Sequence, residues 1–244
     1  MTVFWSYGGG KQTAAIAVLI LQGKLPMPDL IAMADTSREV AATTRYLYDV
    51  VAPAGFNVTV IPHTYATVDL YRGDDLLIPA FTRRNGRIGQ MPTFCSNEWK
   101  QRVCRRWLRD QGVTDCVAWL GISTDEMGRM RGSGLLWYRH FYPLIEAVPM
   151  SRHQCESLVA SHGWPPAPKS ACWLCPMRGT RGWQELKRKA PDDFERAVQL
   201  DDEIRQRDPD AYLHRLALPL REAVQQSEEQ PPLFDGCDSG YCMT

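Results

Sequence analysis

The chain has 244 residues, with 28 Lys and Arg against 28 Asp and Glu, and 44% of it is apolar. That balance suits a globular protein of one large domain, or one domain with a smaller appendage, and excludes intrinsic disorder. No apolar run approaches the roughly 18 residues that span a bilayer, no leader pattern follows Met1, and zero net charge excludes a globally basic coat protein, so the expectation is a cytoplasmic protein with no membrane partner.

The first 125 residues alternate strand and helix. Thr2 to Ser6 is short, apolar and rich in β-formers, and Gly8-Gly9-Gly10 breaks it. Thr13 to Leu21 is a strong helix former that Gly23 ends. Leu30 to Ala34 reads as a second strand, Glu39 to Val51 as a second helix, Asn57 to Pro62 as a third strand and Asp115 to Ile122 as a fourth. Strands separated by helices predict an α/β fold with a parallel sheet and helices on both faces, where ligands collect at the carboxyl ends of the strands. Residues 64–114 form a long insertion with a hairpin signal at Asn85-Gly86 and a basic helix from Trp99 to Arg109. Beyond Pro149, Ser151 and Gln154 match a capping box for a helix that stops at Gly163. A Pro-rich turn leads to Cys172-Trp-Leu-Cys175, and two helical stretches follow at about 180–190 and 191–207. The change of character sets a domain boundary at 148, with residues 1–148 as an α/β domain and 149–244 as a helical, cysteine-bearing domain with a mobile tail.

The segment Ser6-Tyr7-Gly8-Gly9-Gly10-Lys11-Gln12-Thr13 joins a strand to a helix. Glycines let backbone N–H groups approach an anion, the helix N-terminus adds partial positive charge, Lys11 adds a full charge, and the Ser6 and Thr13 hydroxyls can donate. A Walker A loop fails because Trp5 stands where its first Gly belongs and Gln12 precedes Thr13; a dinucleotide fingerprint fails because its third Gly is Thr13. A glycine-rich turn that binds nothing is the bland alternative.

The loop resembles the PP-loop of N-type ATP pyrophosphatases, in the Ser-aromatic-Gly-Gly-Gly form found in the phosphoadenosine-phosphosulfate (PAPS) reductase superfamily, with Gln12 in place of the usual Asp. Asp35-Thr36-Ser37-Arg38-Glu39 resembles the superfamily's Asp-Thr-Gly-x-Glu segment, and Gly121 to Glu126, with Ser123 and Asp125, resembles its Gly-x-x-x-Asp-Glu segment. Singly, these would be an ordinary helix cap and a solvated turn. The resemblance implies ATP on the loop, with Asp35, Thr36 and Ser123 beside the nucleotide. Asp35, Asp125 or Glu126 could hold Mg²⁺ through oxygen. Lys11, Asp125, Arg129 and Arg131 are the candidate catalytic residues, the arginines for charge at the α-phosphate or an acidic substrate, unless they form surface ion pairs.

Eight cysteines in a reducing compartment call for a reading other than disulfides. Cys104 and Cys116 read as core residues. Cys95, Cys155, Cys172, Cys175, Cys237 and Cys242 lie near turn signals. The C-x-x-C spacing of Cys172 and Cys175 lets two thiolates face one metal, with a redox pair as the rival. Arg152 to Cys155, Gly163, Lys169-Ser170, the C-x-x-C-Pro and Trp183 resemble PAPS-reductase-like proteins of phages and the sulfurtransferase subunits of DNA phosphorothioation. That resemblance implies a 4Fe–4S cluster on Cys95, Cys155, Cys172 and Cys175, with Zn²⁺ as the alternative. It also implies a cysteine desulfurase as sulfur donor and DNA or another nucleic acid as ultimate substrate, while a homodimer is left open. The tail thiols Cys237 and Cys242 are candidate sulfur carriers or replacement ligands. The function implied is an ATP pyrophosphatase that activates nucleic acid for sulfur insertion. The alternatives are a thiol-dependent reductase of PAPS or APS, and a nucleotide-binding assembly subunit without catalysis. Lys100, Arg102, Arg105, Arg106 and Arg109 form a basic stretch, by default a solvated face and otherwise a surface for phosphates.

Overall fold

The computed structural model describes residues 1–66 and 69–229. In chain order they form β1 (Thr2–Ser6), α1 (Lys11–Leu21), β2 (Leu30–Ala34), α2 (Ala41–Tyr46), β3 (Thr59–Ile61), β4 (Tyr71–Arg72), β5 (Asp75–Leu76), β6 (Phe81–Arg84), β7 (Arg87–Gln90) and α3 (Arg102–Asp110). There follow β8 (Cys116–Trp119), β9 (Tyr138–Phe141), α4 (Arg152–Ser161), α5 (Thr180–Lys189), α6 (Pro191–Arg207), β10 (Ala211–Tyr212) and α7 (Leu220–Glu229). The chain divides into two compact units, Met1–Thr67 with Trp99–Ser170, and Val68–Glu98 with Ala171–Thr244. This division differs from the expected boundary at 148: α4 packs against α1 inside the first unit, and residues 68–98 of the insertion belong to the second.

Unit 1 is an α/β sandwich around a five-stranded parallel sheet in the order β3-β2-β1-β8-β9. Alternation along the strands supplies two cores. Trp5, Ile31, Met33 and Trp119 face one side, where α1 lies with residues Thr13 to Ile20 buried and Val159 and Cys155 of α4 beside it. Phe4, Ala32, Ala34, Cys116 and Ala118 face the other side, against Val103, Cys104 and Leu108 of α3. Cys104 and Cys116 are core residues, as their sequence context suggested. The chain reverses direction of build at β1, which has β2 on one side and β8 on the other, so the carboxyl ends of these three strands open onto a topological switch point.

Some elements differ from the sequence reading. The second helix begins at Ala41 and widens after Tyr46 into a π-helical turn, Leu47–Val51. The fifth strand, β9, was not anticipated: its Tyr-Arg-His-Phe sequence hides the alternation in aromatic and charged residues. The capping box of α4 is present, with Gln154 N–H donating to Ser151 Oγ at 3.3 Å and Ser151 N–H to Gln154 Oε1 at 2.7 Å.

In unit 2, the expected hairpin turns at Asn85 and Gly86, both with positive φ, between β6 and β7. β10 adds antiparallel to β6. Helices α5, α6 and α7 pack on one another, with Trp183, Phe194, Ala197 and Leu220 buried. Asp201, also buried, accepts from Leu213 N–H at 2.7 Å and Leu220 N–H at 2.9 Å, tying the segment after α6 to that helix. No helix among the described residues is long and apolar enough to cross a membrane.

Candidate functional site at the strand ends of unit 1

Tyr7 N–H still reaches Ala32 O at 2.9 Å, and beyond it the chain leaves the sheet for the Gly8–Gly10 turn and α1. Gly9 has φ +70, and a Cβ there would lie 2.3 Å from Thr43 Cγ2; a Cβ on Gly10 would lie 2.6 Å from Ser170 Oγ. Both positions therefore require glycine. Thr13 Oγ1 folds back on the turn, accepting from Gly10 N–H and donating to Gly10 O, each at 2.8 Å, so its hydroxyl caps α1. Among the described residues the amides of Gly8 and Gly9 meet no protein acceptor. A cavity of about 50 Å³ opens beside them, between Ser6, Gly8, Lys100 and Cys104.

Two of the cations expected at this loop, Lys11 and Arg129, are held by carboxylates. Lys11 Nζ pairs with Glu156 Oε1 of α4 at 2.5 Å. Glu126, 8% exposed, pairs with Arg129 at 2.6 Å and Arg152 at 3.0 Å. Its other oxygen accepts from Gln12 Nε2 at 2.6 Å and from Ser123 Oγ at 3.3 Å. Gln12 therefore has a structural reason: an Asp in its place would face the Glu126 carboxylate, whereas the amide donates to it. Asp125 lies on the exposed side of the same turn and accepts from Arg152 N–H at 2.9 Å. Partial burial works against its charge, but hydrogen bonds from Ser123 and Arg152 prevail and hold its carboxyl below the ordinary range. Arg131 turns its guanidinium to Gly128 O and Met130 O, at 2.8 and 2.7 Å.

After β2, Thr36 is buried and Asp35 closes a tight turn by accepting from Ser37 N–H at 2.7 Å. Ser37 has φ +56, which accounts for the glycine that the resembling segment carries there. His63 Nδ1 lies 3.3 Å from Asp35 Oδ2, and Lys100 Nζ donates to Glu39 Oε1 at 2.7 Å. Of the carboxylates considered for Mg²⁺, Asp125 is exposed and fits an oxygen-ligand role, while the oxygens of Glu126 are occupied by protein donors.

The cysteines divide between the units. Cys155 is wholly buried in the unit 1 core, where burial first, then Asp125, Glu156 and Glu126, pushes its thiol up to about 12. Cys95, Cys172 and Cys175 belong to unit 2. There Cys175 N–H donates to Cys172 O at 3.1 Å and Arg178 N–H to Cys175 O at 3.0 Å, giving two successive turns; α5 starts only at Thr180. A thioredoxin-type pair would open its helix directly, and this one does not. Arg178, buried, donates from its guanidinium to Cys172 O at 3.1 Å and to Gly182 O at 3.4 Å. Among the described residues no group of three or more His, Cys, Asp or Glu is placed to hold one metal ion. Cys237 and Cys242 lie outside the described residues.

The sequence reading missed Glu156 as the partner of Lys11 and Glu39 as the partner of Lys100, because nothing local marks pairs 145 and 61 residues apart. Arg152 was visible only as part of a cysteine motif, not as a cation beside Glu126.

No protein-family model and no curated protein matches the chain. Among solved structures, the crystal structure of phosphoadenylyl-sulfate (PAPS) reductase from Candida auris, in its phosphate complex, is similar over 71% of this chain and 82% of that one, with 11% identity and a TM-score of 0.43. A likeness this distant carries no functional argument.

Proposed function

We propose that the chain is a PP-loop enzyme that cleaves ATP between its α- and β-phosphates and uses the adenylate to activate nucleic acid for sulfur insertion, with DNA phosphorothioation as the named case. The observation that carries the nucleotide reading is the Gly8–Gly9 turn at a parallel switch point, with amides that meet no protein acceptor and Lys11 at the start of the following helix. In this reading the loop amides and Lys11 hold the β- and γ-phosphates as the leaving group and leave the α-phosphate open to attack. Arg129 and Arg152 lie on Glu126 at the neighbouring strand end, where they can neutralise charge that develops on the phosphate. Mg²⁺ on Asp125 would supply further neutralisation. A cysteine desulfurase supplies the sulfur.

A second reading, thiol-dependent reduction of PAPS or APS, is favoured by one feature. Gln12 replaces the loop carboxylate and Glu126 is fully engaged, so the site is poor in free anionic ligands, which suits a nucleotide handled as substrate with few metal contacts. Product analysis separates the readings. Pyrophosphate from ATP supports the first, and sulfite from PAPS with a thiol donor supports the second. Nucleotide binding without either product leaves an assembly subunit.

A further inference from the structure

Cations in unit 1 divide into two populations. Those at the strand ends sit on carboxylates: Lys11 on Glu156, Arg129 and Arg152 on Glu126. On α3 the arrangement changes. Arg106 lies with its guanidinium carbon 5.2 Å from the centre of the Tyr65 ring, and Arg109 with its own 3.8 Å from that of Trp137. Among the described residues neither has a carboxylate partner. The carboxylates next to them are engaged elsewhere: Asp110 accepts from Tyr65 Oη, and Asp115 pairs with Arg139 at 2.8 Å.

Arg102, Arg106 and Arg109 are exposed and follow one another at helical spacings of four and three residues, while Val103, Cys104 and Leu108 face the sheet. At the rise of an α-helix the three Cα atoms are spaced about 6 Å and then about 4.5 Å along the axis. The stripe begins beside the loop, since Lys100, in the turn that feeds α3, lines the same small cavity as Ser6 and Gly8. A guanidinium laid on an aromatic ring has lost side-chain freedom but keeps its N–H edge for an oxyanion. Such arginines are preorganised for phosphate, and their spacing suits a ligand with repeated charges.

We propose that the outer face of α3, through Arg106 and Arg109, docks the phosphate backbone of a nucleic acid whose reacting nucleotide meets the one held on the Gly8–Gly10 loop. This deepens the function proposed above and rests on it for the choice of nucleic acid among polyanions. The contacts are to backbone, so they position the strand without reading its sequence.

The experiment is fluorescence anisotropy of the full chain with labelled 30-nucleotide DNA, single- and double-stranded, across a salt series, with polyglutamate as competitor. The variants Arg106→Gln and Arg109→Gln keep most of each stem. Each should make the slope of log affinity against log salt less negative by about 1, and the double variant should weaken binding about tenfold for unrelated sequences alike. The double variant should still bind a nucleotide at the loop as the parent does, which shows that it is folded and separates this surface from the loop chemistry. Absence of DNA binding at low salt, binding that ignores both substitutions, or displacement by polyglutamate at equal charge concentration overturns the proposal; the last would assign the face to an acidic protein. DNA binding through α3 in a protein that binds no nucleotide at the loop would instead overturn the ATP reading and leave this surface standing.

Discussion

The glycine turn of unit 1 and the cysteine turn of unit 2 are both short, and they differ in how far along the chain their hydrogen-bond and packing partners lie. The glycine turn depends on residues distant in sequence: Thr43 and Ser170 fill the space that side chains on Gly9 and Gly10 would need, Glu126 holds Gln12 across 114 residues, and Glu156 holds Lys11 across 145. The cysteine turn has local hydrogen bonds, Cys175 N–H to Cys172 O and the Arg178 guanidinium to Cys172 O and Gly182 O, and one contact from further along the chain, Arg196 of α6 over the Trp173 ring at 4.5 Å. A site of the first kind can be tuned from elsewhere in the fold. A site of the second kind depends on the buried side chains packed within and beside it, Trp173, Leu174 and Arg178.

The largest effect is therefore expected at Arg178. Arg178→Ala removes a buried side chain and two hydrogen bonds, and should cost about 3 kcal/mol of stability, read as a lower urea midpoint. Arg178→Met keeps most of the volume and should cost about 1 kcal/mol. Equal losses in the two variants would show that the cation itself, facing Cys172 and Cys175, is what unit 2 requires.

Unit 2 should also be the acid-sensitive half. His214 is buried; its Nδ1 accepts from Leu216 N–H at 3.2 Å, which places the ring proton on Nε2, 3.3 Å from Thr180 Oγ1. Burial, with a smaller effect of Arg215, lowers its pKa to about 4. Between the unfolded value near 6.5 and 4 the unfolded chain takes up a proton that the folded one refuses. Stability from this residue is thus full above about pH 6.5 and falls by about 3 kcal/mol as pH drops to 4. Asp201 acts in the opposite sense: burial raises its pKa against its hydrogen bonds, so its cost at neutral pH is relieved as pH falls. His214→Gln should flatten the loss of stability between pH 6.5 and 4 in urea titrations, and an unchanged pH profile would remove His214 from the explanation.

In unit 1 the direct test of the loop is Lys11→Ala, which should lower pyrophosphate release from ATP at least tenfold, about 1.4 kcal/mol of barrier. Stability should move little, since the Lys11–Glu156 pair is partly exposed, 33% and 42% for the two side chains. Wild-type turnover in this variant would reject the loop assignment.

Four of the five strands, their parallel character and the glycine turn were legible because each rests on local pattern: apolar strands, a helix-forming run, and three glycines between them. The capping box of α4 and the Asn85-Gly86 turn were legible for the same reason. What could not be read was pairing between distant residues. Glu126 holds two arginines, Arg131 binds backbone carbonyls and Cys155 packs in the core of unit 1, and nothing near any of them in the sequence marks those neighbours. Charged groups and thiols are chemically ambiguous in a sequence, and only their neighbours decide which role they take. The packing of α4 on α1 was equally illegible, because the two helices that share this face lie more than a hundred residues apart.

The smallest expected effect is also the sharpest test of control from a distance. Glu156 neutralises Lys11 in the structure, so a phosphate at the loop must compete with that carboxylate. Glu156→Gln keeps the shape and removes the competing charge. Stability should change by less than about 0.5 kcal/mol, because exposed pairs contribute little. Nucleotide affinity should rise about threefold at low salt, and the gain should shrink as salt screens the ammonium. The decisive comparison is the same substitution in a Lys11→Ala background. If Glu156 acts only through Lys11, the gain vanishes there and the two effects are strongly non-additive. A gain that survives without Lys11 would mean that Glu156 repels the nucleotide directly, and the loop would then be governed by the charge of α4 as a whole and not by one ion pair.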